Sequence, residues 1–273
     1  MKKYLGLAFI IALSVSVKAQ HRLEKLWETD SVVNLPESVL PDTKNKILYT
    51  SVMGNNPNDK DGIGGIAKIG MDGKVIDLNW ITGLNSPKGL ARIGNVMYAA
   101  DLTDVVVIDI AKGKVSLKIP IDSAKFLNDI TVSDKGIVYV SDSRTKRIHK
   151  IENNKPSLYM ENINGVNGLK AIGTDLFIAG GKTIWKADAQ KQLTKLAELP
   201  NGIDGIEPVG NGNFLLTSWG GYIYYMHADG KSDLLLDTHL EKKNTADLGY
   251  DPVKKILYIP TFYKKTVMAY QIK

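Results

Sequence analysis

The sequence predicts an all-β fold, a six-bladed β-propeller built from four-stranded antiparallel blades. One motif recurs six times: a short strand of alternating apolar and polar residues, a turn, and a returning apolar strand. The third residues of the copies are all apolar: Val39, Leu90, Ile130, Leu169, Ile206 and Leu248. They are separated by 51, 40, 39, 37 and 42 residues. A period of about 40 residues with several strands per copy is typical of propellers, whose blades stack because one repeat cannot bury both faces of its sheet.

Each repeat divides into strands at residues that tolerate tight hairpin turns, such as Asp72-Gly73, Asn211-Gly212 and Asp229-Gly230. The second strand is the most apolar part of each repeat, which suits a strand packed on both faces by neighbouring blades. The predicted second strands are 46–50, 96–100, 137–140, 176–179, 214–217 and 256–259.

The last repeat contains only three strands before the chain stops at Lys273. Residues 22–29 alternate loosely in polarity and are suited to supply the fourth. We therefore predict that this N-terminal strand pairs with the last blade, closes the ring and removes an exposed sheet edge.

A polar loop at residues 53–63, with three asparagines and two aspartates, lengthens the first repeat. Asp59-Lys60-Asp61-Gly62 matches half of an EF-hand calcium loop, but the Glu expected later in that loop is absent. The sequence therefore favours a solvated lid or connector here.

Residues 1–19 have the features of a signal peptide. Lys2 and Lys3 precede an apolar run, and Val17-Lys18-Ala19 resembles a cleavage site. Cleavage would leave 254 residues (273 − 19), enough for one propeller domain at 20–273. We expect export to the periplasm or the exterior and no membrane span after cleavage, the alternative being an uncleaved anchor.

The composition argues against several kinds of site and partner. The chain has no Cys, which removes disulfides and thiolate metal sites. Its net charge of +6 falls to +3 when Lys2, Lys3 and Lys18 are removed with the signal. No basic stripe with interleaved aromatic residues occurs, so we expect no nucleic-acid partner.

The first position of each repeat carries a polar side chain where a purely structural position would be apolar or small. Equivalent positions of a propeller form a ring around the central channel, so we expect these side chains to be neighbours. They are Glu37, Lys88, Asn128, Asn167, Asp204 and, one register later, Asp247.

Glu37, Asn128, Asn167 and Asp204 would present two carboxylates and two amide carbonyls to the channel. Hard oxygen donors of this kind suit Ca²⁺, whereas the Cys and clustered His ligands typical of zinc are missing. The alternative is that these residues only form turns before each strand. We predict a divalent metal in the channel, with Ca²⁺ first and Mg²⁺, Mn²⁺ or Zn²⁺ as alternatives.

In the order and spacing of its motifs, the chain resembles the SMP-30/gluconolactonase (regucalcin-like) family over residues 36–273, with paraoxonases as more distant relatives. The motifs are Pro36-Glu37-Ser38-Val39, Leu127-Asn128-Asp129-Ile130, Val166-Asn167-Gly168-Leu169 and Ile203-Asp204-Gly205-Ile206. The resemblance implies a six-bladed propeller, a channel metal, usually calcium, and hydrolysis of lactones or related esters. It also implies that Glu37, Asn128, Asn167 and Asp204 are the metal ligands and that Asp204 is the general base.

The chain departs from these relatives at several positions. Lys88 stands where paraoxonases carry a histidine. Ser38 follows Glu37 where they carry an acid, which argues against their second calcium. The sugar-binding arginine of gluconolactonases has no match at 101–105, so sugar lactones are not implied.

The remaining channel residues have supporting roles in this interpretation. Lys88 would stabilise negative charge during the reaction or bind a product carboxylate, the alternative being an ion pair with Asp129 or Asp247. Asp129 directly follows Asn128 and should point the other way along the strand. We expect Asp129 and Asp247 to support the site from below.

The substrate pocket should be walled by residues at the ring's mouth, to which the second strands return. These are Asp101, Asp142, Trp219, Phe262 and Tyr263. Trp219, between Ser218 and Gly220, is the best candidate for a stacking surface. The alternative for the aromatic residues is packing between blades.

The sequence thus predicts an exported, metal-dependent hydrolase of small-molecule lactones or carboxylic esters. The alternative is a non-catalytic secreted propeller that binds a protein or carbohydrate and holds a structural metal, because a fold does not determine a function. A propeller without metal is a third possibility, against which the four grouped oxygen donors argue.

Overall fold

The protein is a six-bladed β-propeller, as predicted. A computed structural model describes residues 21–273, and the predicted signal peptide lies outside the described residues. The described residues form 24 strands in six antiparallel four-stranded sheets, and one short 3₁₀ helix, Phe262–Lys264. None of them forms a helix that is long and apolar enough to span a membrane.

The chain enters through β1 (Leu23–Glu28), which belongs to the last blade. The first blade contains β2 (Pro36–Asp42), β3 (Ile47–Val52), β4 (Gly64–Gly70) and β5 (Val75–Leu84). The second contains β6 (Pro87–Ile93), β7 (Val96–Asp101), β8 (Asp104–Asp109) and β9 (Lys114–Pro120). The third contains β10 (Leu127–Val132), β11 (Val138–Asp142), β12 (Arg147–Glu152) and β13 (Lys155–Met160).

The fourth blade contains β14 (Val166–Ile172), β15 (Asp175–Gly180), β16 (Thr183–Ala187) and β17 (Leu193–Glu198). The fifth contains β18 (Ile206–Gly210), β19 (Asn213–Ser218), β20 (Tyr222–Met226) and β21 (Ser232–Asp237). The sixth contains β22 (Gly249–Asp251), β23 (Ile256–Pro260) and β24 (Val267–Ile272), and β1 completes it.

Within each blade the strands follow one another from the axis outward. The first strands of neighbouring blades contact one another around the channel. The predicted second strands correspond to β3, β7, β11, β15, β19 and β23, with ends that differ by no more than two residues. The six apolar residues that predicted the period are all buried between blades.

The N-terminal strand closes the ring, as predicted. β1 pairs antiparallel with β24, with Leu23 opposite Ile272 and Glu28 opposite Met268. Trp27 fixes the join, because its ring packs against Tyr258 and its Nε1 donates to the Met71 carbonyl at 3.0 Å. The first and last segments of the propeller therefore share one sheet, which leaves β24 without an open edge.

Removing the Trp27 side chain should weaken this closure. We expect Trp27→Ala to lower the free energy of unfolding by about 2 kcal/mol, since it deletes a partly buried aromatic group and one hydrogen bond. Leu26→Ala is the matched control, because Leu26 on the same strand is exposed. Denaturant unfolding of both variants measures the difference, and equal losses would show that β1 does not hold the ring closed.

Candidate active site

The six repeats bring their opening residues to one end of the central channel. In four blades the residue that opens the first strand pairs with a residue at the end of the second: Pro36 with Val52, Pro87 with Asp101, Leu127 with Asp142, and Val166 with Gly180. The register shifts directly after each pair, so the next two residues stand in a β-bulge. Bulges re-aim side chains, and here they interrupt the strand alternation at the channel.

Two acids, Glu37 and Asp204, lie buried at this mouth. Each has about 5% of its surface exposed. Burial, followed by the charges of Asp204 and Asp247, raises the pKa of Glu37 well above its usual range. Burial and the Asp247 carboxylate raise the pKa of Asp204 to about 7. The Asp204 charge thus acts on Glu37 across the channel, which agrees with the ring of neighbours that the repeat alignment predicted.

The two asparagines of the ring both use their N–H groups. Asn167 Nδ2 donates to Asp204 Oδ1. Asn128 Nδ2 donates to the Ser143 hydroxyl at 3.0 Å, and that hydroxyl donates to the Val166 carbonyl. Within residues 21–273, neither asparagine carbonyl oxygen accepts a hydrogen bond. Both oxygens therefore remain available as ligands.

A second layer of acids lies beneath the mouth. Asp129 Oδ2 accepts the Leu169 N–H of the next blade at 2.5 Å, and Asp247 Oδ2 accepts the Ser38 hydroxyl at 2.6 Å. Gly89 makes room for Asp129, because a Cβ there would lie 2.5 Å from Asp129 Oδ1. Strand alternation predicted that Asp129 would point away from Asn128 and support the site from below. Its carboxylate lies between the first strands of the second and fourth blades, whereas the Asn128 side chain contacts Ser143.

These residues fit a hard divalent cation. Glu37 Oε2 is buried without a hydrogen-bond partner among the described residues, although a buried carboxylate oxygen normally has one. A cation would also relieve the repulsion that raises the pKa of Glu37. In the described part of the chain no three His, Cys, Asp or Glu side chains converge to hold a metal. A metal here would therefore depend on the asparagine carbonyls as well as Glu37 and Asp204.

Lys88 points out of the ring toward the mouth. It is 2% exposed, and its Nζ donates to the carbonyls of Pro57 and Ser86 at 3.1 and 3.0 Å. It makes no ion pair with Asp129 or Asp247, so the alternative that the sequence left open is wrong. Burial lowers the pKa of Lys88 to about 8.

Asp101 and Asp142 lie at the mouth, but they do not line a pocket. Both are fully buried. Asp101 accepts the backbone N–H groups of Asn85 and Ser86, and Asp142 accepts three N–H groups, including that of Lys125. The expectation that they contact substrate is corrected: at the ends of β7 and β11 they fix the loops that lead into and out of neighbouring strands.

The predicted aromatic residues do meet at the mouth. Trp219 packs edge-to-face on Phe262 at 5.5 Å and on Tyr263 at 5.9 Å. Phe262 is buried among Leu35 and other apolar residues, whereas Trp219 and Tyr263 are 44% and 58% exposed. Phe262 therefore packs between blades, which was the alternative interpretation of the sequence. Trp219 and Tyr263 form an open aromatic wall.

The 53–63 loop extends from the first blade over the second and third. The Pro57 carbonyl covers Lys88, Lys60 Nζ donates to the Thr103 hydroxyl at 2.7 Å, and Arg144 donates to the Asn58 side chain. The loop thus covers part of the mouth, which agrees with the predicted lid.

Sequence reasoning missed Ser143, Arg144 and Phe126. All three lie in the loops before β10 and after β11 and occupy the mouth beside Asn128. The sequence signal for these residues was weak, because none of them stands at a position that recurs in the repeats. The expectation that second strands return to the mouth identified Asp142 at the end of β11. Applied to the next two residues of the chain, it would also have identified Ser143 and Arg144.

The sequence matches no protein-family model and no curated protein sequence. Solved structures do resemble the fold. A gluconolactonase from Xanthomonas campestris superposes with a TM-score of 0.70 at 16% identity, covering 93% of this chain and 91% of its own. Virginiamycin B lyase from Staphylococcus aureus, solved with quinupristin, gives 0.66 at 12% identity, covering 92% and 99%.

A chain of the nidogen–laminin complex gives a TM-score of 0.61 at 15% identity, covering 74% of this chain and 80% of its own. At such identities these likenesses show the fold alone. The fold is gluconolactonase-like, as the motifs implied, but it is shared by a lyase and by a chain of the nidogen–laminin complex. The activity has to be argued from the site.

Without metal, the buried carboxylates should make stability fall as pH rises. The pKa of Asp204 is about 7 in the folded protein, above the unfolded value of 3.8, so the folded state binds the proton more tightly. Its stabilising effect is complete at acidic pH and is lost as pH rises through about 7, by roughly 4 kcal/mol at most.

Denaturant unfolding of chelator-treated protein at about pH 5.5 and pH 8 measures the part of this loss that falls above pH 5.5, roughly 2 kcal/mol. Asp204→Asn should flatten the dependence, and added Ca²⁺ should restore stability at the higher pH, since it binds the ionised folded state. An unchanged slope in Asp204→Asn would show that this carboxylate is not the titrating group.

Proposed function

We propose that the protein is a metal-dependent hydrolase of lactones or carboxylic esters, exported to the periplasm or the exterior. The observation that carries the proposal is the group of oxygens at the channel mouth. Glu37 Oε2 and the carbonyl oxygens of Asn128 and Asn167 are without hydrogen bonds beside Asp204, in the part of the chain that the structure describes. The gluconolactonase-like fold supports this choice of chemistry.

Glu37, Asn128, Asn167 and Asp204 would hold the ion, for which Ca²⁺ is the best match to the donors, ahead of Mg²⁺, Mn²⁺ and Zn²⁺. Bound there, the ion would polarise the substrate carbonyl and stabilise negative charge on its oxygen. Two carboxylates would balance its charge, and the remaining positions would take water or substrate.

Asp204 is the proton acceptor in this mechanism. The Asn167 N–H holds its Oδ1, which orients the carboxyl group toward the mouth. A water attacks the carbonyl carbon while Asp204 takes its proton; the C–O bond then breaks, and the alkoxide recovers that proton. The net reaction adds one water to a lactone and yields a hydroxy acid.

The aromatic wall would contact the part of the substrate remote from the carbonyl. Trp219 and Tyr263 are exposed and nearly perpendicular to one another, at 78°. They offer an apolar surface with one polar edge each. A substrate with an apolar group beside the reacting ester would fill this side of the mouth.

Acid release at constant pH tests the proposal directly. Residues 20–273 would be assayed with sugar lactones, acyl lactones and simple esters, with calcium and after chelation. We expect turnover that chelation abolishes and calcium restores. Glu37→Gln and Asp204→Asn should lower kcat by about 100-fold or more, since each removes a ligand and the second also removes the proton acceptor.

Asp72→Asn is the matched control, because Asp72 lies in an exposed turn far along the first blade and pairs only with Lys74. It should leave kcat unchanged. Absence of turnover on every compound, with bound metal confirmed, would reject the hydrolase and favour the non-catalytic binding propeller. Equal losses in all three variants would mean that the substitutions act through folding.

A further inference from the structure

Two cations share one aromatic ring at the channel mouth. Lys88 Nζ lies 4.3 Å and the Arg144 guanidinium carbon 4.7 Å from the centre of Phe126. Among residues 21–273 neither cation has a carboxylate within 4.0 Å, whereas Arg92 pairs with Asp42 at 2.6 Å. Two like charges are thus held together with no carboxylate in direct contact, although Glu37 and Asp101 act on Lys88 from a greater distance.

Neutral oxygens of a single turn cover both cations. The Pro57 carbonyl accepts from Lys88 at 3.1 Å, and the Asn58 side-chain carbonyl accepts from Arg144. Ser86 supplies the other acceptors of Lys88, through its carbonyl and its hydroxyl. Neutral acceptors compensate the buried ammonium and the exposed guanidinium beside it poorly, because an anion interacts far more strongly with both.

The covering turn is built to be displaced. It lies in a loop bounded by Gly54 and Gly62, whose φ angles are +76° and +73°. No atom lies within 4 Å of a Cβ built on Gly62, so the backbone is free on that side. Besides the contacts to Lys88 and Arg144, two side-chain bonds tie the loop to other segments of the described residues: Lys60 donates to Thr103, and Asn34 donates to the Gly54 carbonyl at the loop's start.

We infer that Lys88 and Arg144 form a carboxylate subsite beneath the 57–58 turn, so that the enzyme acts on lactones or esters that carry a second, anionic group. This rests on the proposed function and adds the substrate class. The substrate carboxylate replaces the Pro57 and Asn58 oxygens, the guanidinium binds it through two N–H groups, and the ammonium neutralises it. Arg144 is then the specificity-determining residue, since it is the exposed member of the pair.

The position of the subsite agrees with this assignment. Lys88 belongs to the same ring of opening residues as Glu37, and Glu37 acts on its pKa electrostatically. A carboxylate held by Lys88 and Arg144 therefore lies beside the predicted reaction centre, on the second and third blades. Trp219 and Tyr263 stand on the fifth and sixth blades and leave the opposite side for an apolar group.

The test compares two lactones that differ only in this group: γ-carboxy-γ-butyrolactone and γ-valerolactone, in which a methyl replaces the carboxylate. The readout is the ratio of their kcat/KM values. We expect wild type to favour the anionic lactone and Arg144→Gln to lower that ratio by about 10- to 100-fold, the value of one charge-assisted hydrogen-bonded pair. Arg147→Gln removes the same charge three residues away, where Arg147 pairs with Glu161, and should keep the wild-type ratio.

An unchanged ratio in Arg144→Gln, or the same fall in Arg147→Gln, would overturn the subsite. If wild type hydrolyses neither lactone, calorimetry decides the subsite separately from the hydrolase proposal. Hydroxyglutarate, the opened form of the anionic lactone, should then bind wild type and Arg147→Gln at least about 10-fold more tightly than Arg144→Gln. Equal binding by all three proteins, or no binding by wild type, would reject it.

Discussion

The convergence of the six first strands on one axis is the constraint from which the chemistry of this protein follows. Any side chain at the start of a first strand is forced beside five others and away from bulk water. Glu37, Asp204, Asp129 and Asp247 are acids at or just after that position, and their pKa values are all raised, first of all by burial. Such a group can be relieved by protonation, by a cation or by an internal base. Lys88 lowers the pKa of Glu37, and Lys170 lowers those of Asp129 and Asp247, but burial outweighs both lysines. Protons and bound cations are therefore the further means of relief.

The same carboxylates also hold the blades together, so the site and the ring cannot be separated energetically. Asp129 accepts from Leu169 in the next blade, and Asp247 accepts from Ser38 across the seam between the sixth and first blades. Gly89 leaves the space that Asp129 fills. Acids on flexible loops would not need a glycine beside them to leave space for their carboxylates. Here the acids are packed as tightly as core residues, which preorganises them for a ligand at the expense of stability when none is bound.

The sequence was sufficient for the parts of the molecule that repeat. Val39 and its five equivalents recur because every blade buries the same position, and β1 could be placed because the last repeat lacked a strand. Prediction failed where side-chain direction depends on a local interruption. Asp142 at the end of β11 turns into its own loop rather than outward. Arg144 stands at no position that recurs in the repeats, so its packing against Phe126 beside Lys88 could be seen only in the structure.

The fold of this chain does not by itself select a substrate. A gluconolactonase, a lyase and a chain of the nidogen–laminin complex all superpose on it at 12 to 16% identity. The mouth is divided into a cationic side at Lys88 and Arg144 and an aromatic side at Trp219 and Tyr263. The carboxylates of Glu37 and Asp204 lie between the cationic and aromatic sides and beneath them. A molecule that satisfies both sides must place its central atoms over Glu37 and Asp204, so the walls that select a ligand also position it over the groups able to react with it.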